Sequence, residues 1–277
     1  MKIKIGPVGI GSVTDVEKTF EEYKKLGIKC AEIPFTYGVY IKTRETANKV
    51  KKAAEKFGIE LSIHAQYWIN LNSEDFEKIE ASKKRILKSC EVGHWLGAKN
   101  IVFHAGFYGK KSKEESYENI KNRILEMQEV IKKNKWKVKL CPEVMGKVNV
   151  FGSIDEVARL VKDTGCNFCI DFAHVLARYK KHNFEELKKT FSLHKKWHCH
   201  FSGIDYTAKG ERRHRMAREK EWKIVLDNLP KNKNIKISIQ FRPINPLTFD
   251  IRMPTISASL QSLKNRRLLF NPPLTSA

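Results

Sequence analysis

Acidic residues are scarce in this chain: 31 Asp and Glu stand against 53 Lys and Arg, for a formal net charge of +22. The deficit argues against a cationic partner and favours polyanions, nucleic acid above all. A lysine-rich composition coating solvated helix faces accounts for the charge equally well. Long apolar runs are also missing. None reaches the roughly 18 residues that a membrane-spanning helix needs, so no membrane partner is expected. Met1-Lys2-Ile3-Lys4-Ile5 enters a strand pattern without a preceding apolar leader, and a cytoplasmic location is expected. No Gly-x-Gly-x-x-Gly follows the first strand, which counts against an open dinucleotide-binding sheet. The six cysteines include one C-x-x-C pair, Cys166 and Cys169, without a second pair to complete a zinc knuckle. Most cysteines sit in apolar runs and read as reduced core residues.

What is present is a soluble-type composition, 41% hydrophobic and 30% charged over 277 residues, near the usual size of one (β/α)₈ barrel. Short apolar strands alternate with amphipathic stretches. Strands are predicted at 3–6, 30–35, 61–64, 100–104, 137–143, 167–171, 197–201 and 235–239. Between them, Val16, Phe20, Tyr23 and Leu26 recur at helical spacing and stop at Gly27. Helices are likewise predicted from Ala47 to Phe57, from Ser73 to about Leu96, after Ser112, after Ser153, after Asn183 and over 219–229. Ser112-Lys-Glu-Glu115 and Ser153-Ile-Asp-Glu156 have the spacing of capping boxes. Eight strand signals alternating with helices predict a single-domain α/β (β/α)₈ TIM barrel rather than an open doubly wound sheet.

That barrel is assigned to residues 1–240. From Phe241 to Ala277 the lysine bias stops: one lysine, Lys264, one acid, Asp250, and five of the nine prolines fall there. The segment reads as an atypical C-terminal end, either a flexible tail or the product of a reading-frame shift. Imperfect closure of the barrel at that end is the expected consequence.

The chemistry lies at the strand ends. Strands three to seven each finish in a potential metal ligand: His64, His104, Glu143, Asp171 and His200, with His174 just beyond the sixth. In a parallel barrel these ends converge on one face. Imidazoles with carboxylates suit zinc or manganese, and Glu143 has two oxygens with which to bridge two ions. Any one of these histidines alone reads more readily as an ordinary core or surface residue. Five consecutive strands ending this way do not.

The motifs resemble endonuclease IV. His64-Ala-Gln-Tyr67-Trp-Ile-Asn70-Leu71 is similar to that family's first histidine motif, and Gly97-Ala-Lys-Asn-Ile-Val-Phe-His104-Ala-Gly106 to its second. Pro142-Glu143-Val matches the bridging glutamate, Asp171-Phe-Ala-His174 its Asp-x-x-His element, and His198-Cys-His200-Phe-Ser-Gly the next histidine strand. His214 lies where a further ligand is expected. The resemblance spans residues 1 to about 240. It implies a zinc-dependent phosphodiesterase, a monomer, that cuts double-stranded DNA on the 5′ side of abasic sites with two or three zinc ions. By position, His64, His104 and Glu143 would hold one ion, Glu143, Asp171 and His200 a second, and His174 with His214 a third. Glu143 is the candidate for orienting the attacking water. Tyr67 matches a residue used beside the opened base stack, although packing at the barrel rim explains it nearly as well. Tyr37, with Tyr40 and Lys42, falls on a DNA-facing loop. Arg212 and Arg213, with Arg215 and Arg218, form a basic run after strand seven that suits phosphates or simply solvent.

Two acids of the family pattern are missing. Arg212 replaces an aspartate beside the third ion, which argues against that ion unless the neighbouring Glu211 substitutes. Gln240 and Arg242 stand near the end of the eighth strand, where a glutamate ligand is expected. Two further readings therefore remain: a sugar isomerase or epimerase of the xylose-isomerase-like group using one divalent metal, and a catalytically impaired DNA-binding barrel.

Overall fold

The computed structural model describes residues 2–240; the composition break at 241–277, with its frame-shift reading, lies outside the described residues. The barrel strands are β1 (Lys2–Pro7), β2 (Cys30–Pro34), β3 (Glu60–His64), β4 (Asn100–Phe103), β5 (Lys139–Pro142), β6 (Cys169–Asp171), β7 (Lys196–Phe201) and, after a hairpin of β8 (Gly203–Thr207) and β9 (Gly210–Arg215), β10 (Asn234–Ile239). They form two parallel four-stranded sheets, ordered β2-β3-β4-β5 and β1-β10-β7-β6. Parallel bridges between Val8 and Glu32 and between Glu143 and Cys169 join the two sheets at both seams.

The ring is therefore complete at the level of strands. The expected weakness at the C-terminal end does not reach β10, which pairs with β1 from Lys2↔Asn234 to Pro7↔Ile239. The seam beside β1 depends on a glycine. A Cβ on Gly6 would lie 1.7 Å from the Cys30 carbonyl oxygen, so no side chain fits there.

Helices alternate with these strands: α1 (Val16–Lys25), α2 (Arg44–Phe57), α3 (Phe76–Leu96), α4 (Lys113–Lys133) and α5 (Ile154–Thr164) fill the first five connections, α6 (Phe172–Tyr179) and α7 (Phe184–Thr190) share the one between β6 and β7, and α8 (Glu219–Asn228) leads into β10. Their apolar stripes face the strands: Val16, Phe20 and Tyr23 of α1, and Ala47, Val50 and Ala54 of α2, are buried against the barrel wall. The strands, covered outside by helices, supply fully buried Ile33, Ile63, Ile101, Phe103 and Ile237, as expected for a parallel sheet. No helix among the described residues is long and apolar enough to cross a membrane.

Local chemistry explains most boundaries. Ser153 and Glu156 form the expected reciprocal capping box. Ser112 accepts from the Glu115 amide, but the return bond is not formed. Helix α3 starts three residues later than Ser73, because Asp75 caps it by accepting from the Glu77 and Lys78 amides. Ser73 Oγ instead accepts from the Asp75 amide, a local side-chain turn that competes with helix. The hairpin β8–β9 occupies the stretch read from sequence as a basic loop. All six cysteines are free and buried, consistent with their reading as core residues.

Candidate metal centre

The C-terminal ends of the barrel strands bring the ligand candidates together around Glu143, which follows β5 and is almost completely buried. Glu143 Oε2 lies 3.3 Å from His64 Nε2 and 3.3 Å from His104 Nε2. Glu143 Oε1 lies 3.1 Å from His200 Nδ1 and 3.3 Å from His174 Nδ1. Residues spread over more than a hundred positions thus meet at one carboxylate, each delivered by a different strand end.

The backbone fixes which nitrogen faces inward. His64 Nδ1 is 2.8 Å from its neighbour's carbonyl, Ala65 O; donating there leaves Nε2 free toward Glu143. His174 is placed by Asp171. The Asp171 side chain caps α6, its Oδ1 accepting from the His174 amide at 2.9 Å. The Asp-x-x-His spacing is therefore an N-cap and its third helical residue, which turns the imidazole back over the strand end. Asn70, from the first histidine motif, and Asn72, just beyond it, fasten the loops after β3 and β4. Asn70 Oδ1 accepts from the Phe107 amide, and Asn72 Nδ2 donates to the Phe107 and Tyr108 carbonyls.

A second cluster lies beside the first. His174 Nε2 is 3.0 Å from His214 Nε2 and 3.5 Å from Glu211 Oε2, and His214 Nε2 is 3.5 Å from Glu211 Oε1. His214 Nδ1 is held by Ser202 Oγ at 2.6 Å. The replacement of an acid by Arg212 has a structural answer. In the hairpin, Asp205 pairs with Arg213 and Tyr206 with Glu211, so Arg212 is the extra residue of a β-bulge. Arg212 is exposed. The bulge breaks the two-residue alternation, so that Glu211 and His214 face the same side. Gly146 makes room for them: a Cβ there would lie 2.8 Å from Glu211 Cβ and 3.0 Å from His174 Cδ2.

The donors fit a divalent cation. Four ligand atoms about 2.0–2.1 Å from zinc at tetrahedral angles lie roughly 3.3 Å apart, which is the distance of His64 Nε2 and of His104 Nε2 from Glu143 Oε2. Glu143 Oε2 and Asp171 Oδ2 are buried and make no hydrogen bond among the described residues, a costly state for carboxylate oxygens unless something cationic meets them. Two ligand groupings bring donor atoms within 4.8 Å of one another, His64–Glu143–His200 and Asp171–His174–His214; a third joins Cys169, His198 and His200. Asp171 thus lies with His174 and His214 as well as beside His200 across the β6–β7 register.

The electrostatics show how strongly the carboxylates dominate. Burial opposes ionisation of Glu143, but the charge of His200 and the close imidazoles of His104 and His174 hold its carboxyl well below the usual range. Burial likewise opposes charge on His174, yet Asp171, Glu143 and Glu211 push it up to about 10. Glu211 is drawn down to about 2 against its burial by His214 and His174. His104, where burial prevails, is lowered. Without metal, protons on imidazoles neutralise the acids; a metal ion would take their place.

Several residues of this site escaped the sequence reading. Glu32, on β2, is fully buried beneath it, with Ser62 Oγ donating to Oε2 at 2.8 Å and His198 Nε2 at 3.0 Å. Its Oε1 lies 2.7 Å from His200 Nε2. A lone acid in an apolar strand was the available signal. Gln240, read as a weak substitute for an acid, does reach the site: its Nε2 is 2.9 Å from His200 Nδ1.

The proposed DNA contacts divide into two groups. Tyr67 stacks on the His104 ring at 5.7 Å and meets Tyr37 edge-on at 6.1 Å. Tyr37, Tyr67 and Trp68 are 78%, 49% and 58% exposed, an aromatic rim beside the metal ligands. Arg213 lies on the hairpin and is paired with Asp205 at 2.8 Å, and Arg212 is exposed beside it.

Comparison with known proteins places this geometry. A family model described as xylose isomerase-like TIM barrel matches residues 20–229. An uncharacterised protein of Methanocaldococcus jannaschii is 38% identical over 214 residues, covering 73% of this chain and 77% of its own. A probable endonuclease 4 of Mycobacterium marinum is 26% identical, over 62% of this chain and 67% of its own. Among solved structures, endonuclease IV from Thermus thermophilus superposes with a TM-score of 0.66 at 19% identity, covering 98% and 99% of the two chains. The D-psicose 3-epimerase of Clostridium cellulolyticum superposes with 0.65 at 17%, covering 97% and 99%.

Proposed function

The chain belongs to the xylose isomerase-like TIM barrel family, and from that premise we propose that it is a zinc-dependent endonuclease that incises double-stranded DNA 5′ to abasic sites. The observation that carries this reading is the convergence of four imidazoles, from His64, His104, His174 and His200, on the two oxygens of Glu143. A sugar isomerase with one divalent metal has no use for so many nitrogens, and a small neutral sugar gains nothing from a net charge of +22. The fold alone does not separate the two chemistries, because an epimerase superposes as well as an endonuclease.

In this reading His64, His104 and Glu143 hold one ion, Glu143, Asp171 and His200 a second, and His174, His214 and Glu211 a third. Bound zinc supplies Lewis acidity for activating water and for neutralising charge on the scissile phosphodiester. Manganese suits the same oxygen and nitrogen donors. Glu143, buried and ionised, orients the attacking water. The aromatic rim of Tyr37, Tyr67 and Trp68 offers stacking surface to a duplex whose base is already missing, where unstacking costs least. The remaining positive charge draws the DNA backbone to the barrel.

The deciding experiment incubates the purified chain and zinc with a duplex carrying one abasic analogue. Incision on its 5′ side is the expected result. Salt-sensitive binding without incision would make the chain a DNA-binding barrel instead. No binding, together with metal-dependent epimerisation of a ketose, would replace the nuclease with the sugar enzyme.

A further inference from the structure

The opposite end of the barrel carries a second concave site. A cavity of about 670 Å³ opens among the N-terminal ends of the strands, far in topology from the metal ligands. Its rim is cationic. Lys2, Lys99, Lys137, Lys139 and Lys196 line it, gathered at the starts of four strands with Lys137 and Lys139 both at β5, and all are exposed. Two more lysines, Lys4 and Lys236, line its interior, and the one acid among the lining residues is Glu60. Glu60 Oε2 is taken by Lys4 Nζ at 2.6 Å.

Lys236 is the informative residue. It is 7% exposed, on β10, and makes no hydrogen bond and no ion pair among the described residues. Its neighbour across the β10–β7 register, His198, is 4% exposed and also lines the cavity. His198 Nε2 faces Glu32, while Nδ1 is buried without a hydrogen-bond partner. The charge of Lys236 acts on Glu60, which Lys4 already holds, so one acid serves both inner lysines. Gathering seven lysines around one acid brings mutual repulsion. Solvated surface lysines on helix faces escape that cost, so compositional bias explains the rim less well than a ligand does.

We propose that this cavity is a binding site for a compact, multiply charged phosphate anion. The lysines supply flexible point charges from several directions, and Lys236, on β10, adds one from a largely buried residue of the lining. The shape selects the source. A duplex presents its phosphates on a convex rod that cannot enter a cavity between strand ends, whereas a small polyphosphate fits within it. The site is independent of the chemistry assigned to the other face.

Titration calorimetry with sodium tripolyphosphate on the full chain tests the assignment. One equivalent is expected to bind, with affinity falling as salt rises. Lys236→Gln is expected to weaken binding at least tenfold, as is the double variant K139Q/K196Q, whose exposed positions leave folding undisturbed. Thermal unfolding supplies a second readout: tripolyphosphate should raise the melting temperature of the parent chain and not of Lys236→Gln. His104→Ala should bind the anion as the parent does. Absence of binding by the parent chain overturns the proposal. So does binding that survives both lysine variants but disappears in His104→Ala, since that places the anion at the metal face, or displacement of the anion, mole for mole, by an undamaged DNA duplex.

Discussion

His200 is held between two carboxylates, with Nε2 2.7 Å from Glu32 Oε1 and Nδ1 3.1 Å from Glu143 Oε1. Against its burial, the two acids push its pKa well above the ordinary value. The contact with Glu32 turns one nitrogen to the barrel interior and leaves the other for the metal face, an outer-shell arrangement that orients a ligand. Glu32→Gln keeps the size and loses the charge. Its zinc affinity, measured by competition with a chromophoric chelator, should drop about 10–100-fold while the circular dichroism spectrum stays unchanged. Unaltered affinity would remove Glu32 from any positioning role.

His104 reaches Glu143 from the rim of the site, where it is partly exposed. His104→Ala should therefore lose zinc and incision together, with little effect on folding. Metal analysis by plasma emission, run beside the incision assay, reads both. Full metal content in this variant would break the assignment of the first ion.

The bulge at Arg212 yields a paired prediction. Glu211→Gln should lose about one equivalent of zinc, because the donor shared by His174 and His214 becomes neutral and weaker. Arg212→Ala should lose none. Deleting Arg212 altogether removes the bulge but leaves Glu211 two positions before the histidine, on the same side of a regular strand, so the deletion should keep its zinc. A deletion variant that lost an equivalent of zinc would refute the role of the bulge.

The proton on His174 sets a pH dependence. Its pKa rises from 6.5 to about 10 in the metal-free fold. A raised folded-state value means that this proton contributes stability in full below 6.5, and that the contribution is lost as pH climbs through about 10. Zinc must displace it. Metal binding near about pH 7.5 should release protons, and affinity should increase with pH across that window. Calorimetry in two buffers of different ionisation enthalpy measures the release; a value of zero would contradict the electrostatics described above.

Tyr67 is half exposed and stacked on His104. Base–aromatic stacking contributes about 1–3 kcal/mol. Tyr67→Ala should therefore weaken binding of the abasic duplex about ten- to hundredfold at constant salt, with zinc content intact. Equal affinity in parent and variant would reduce Tyr67 to a packing residue of the rim.

How much of this was legible beforehand follows from the range of each interaction. Eight strands, their order of alternation with helices, and six ligand candidates can be read from local patterns, because apolar periodicity and strand-end polarity are properties of a few consecutive residues; His214 came only from the family resemblance. Ser153 with Glu156, or Asp171 with His174, carry their geometry within four positions. Glu32 does not. A lone acid inside Cys-Ala-Glu-Ile-Pro hints at a buried role but not at its partners, because Ser62, His198 and His200 are 30 to 168 positions away. The same holds for Glu211, whose direction depends on one unpaired residue in a hairpin register. Sequence alone determined which residues are able to bind metal and that a parallel barrel would carry them. Only the closed barrel decided which of their atoms meet, because strand register and a single bulge set side-chain direction through hydrogen bonds to distant chain.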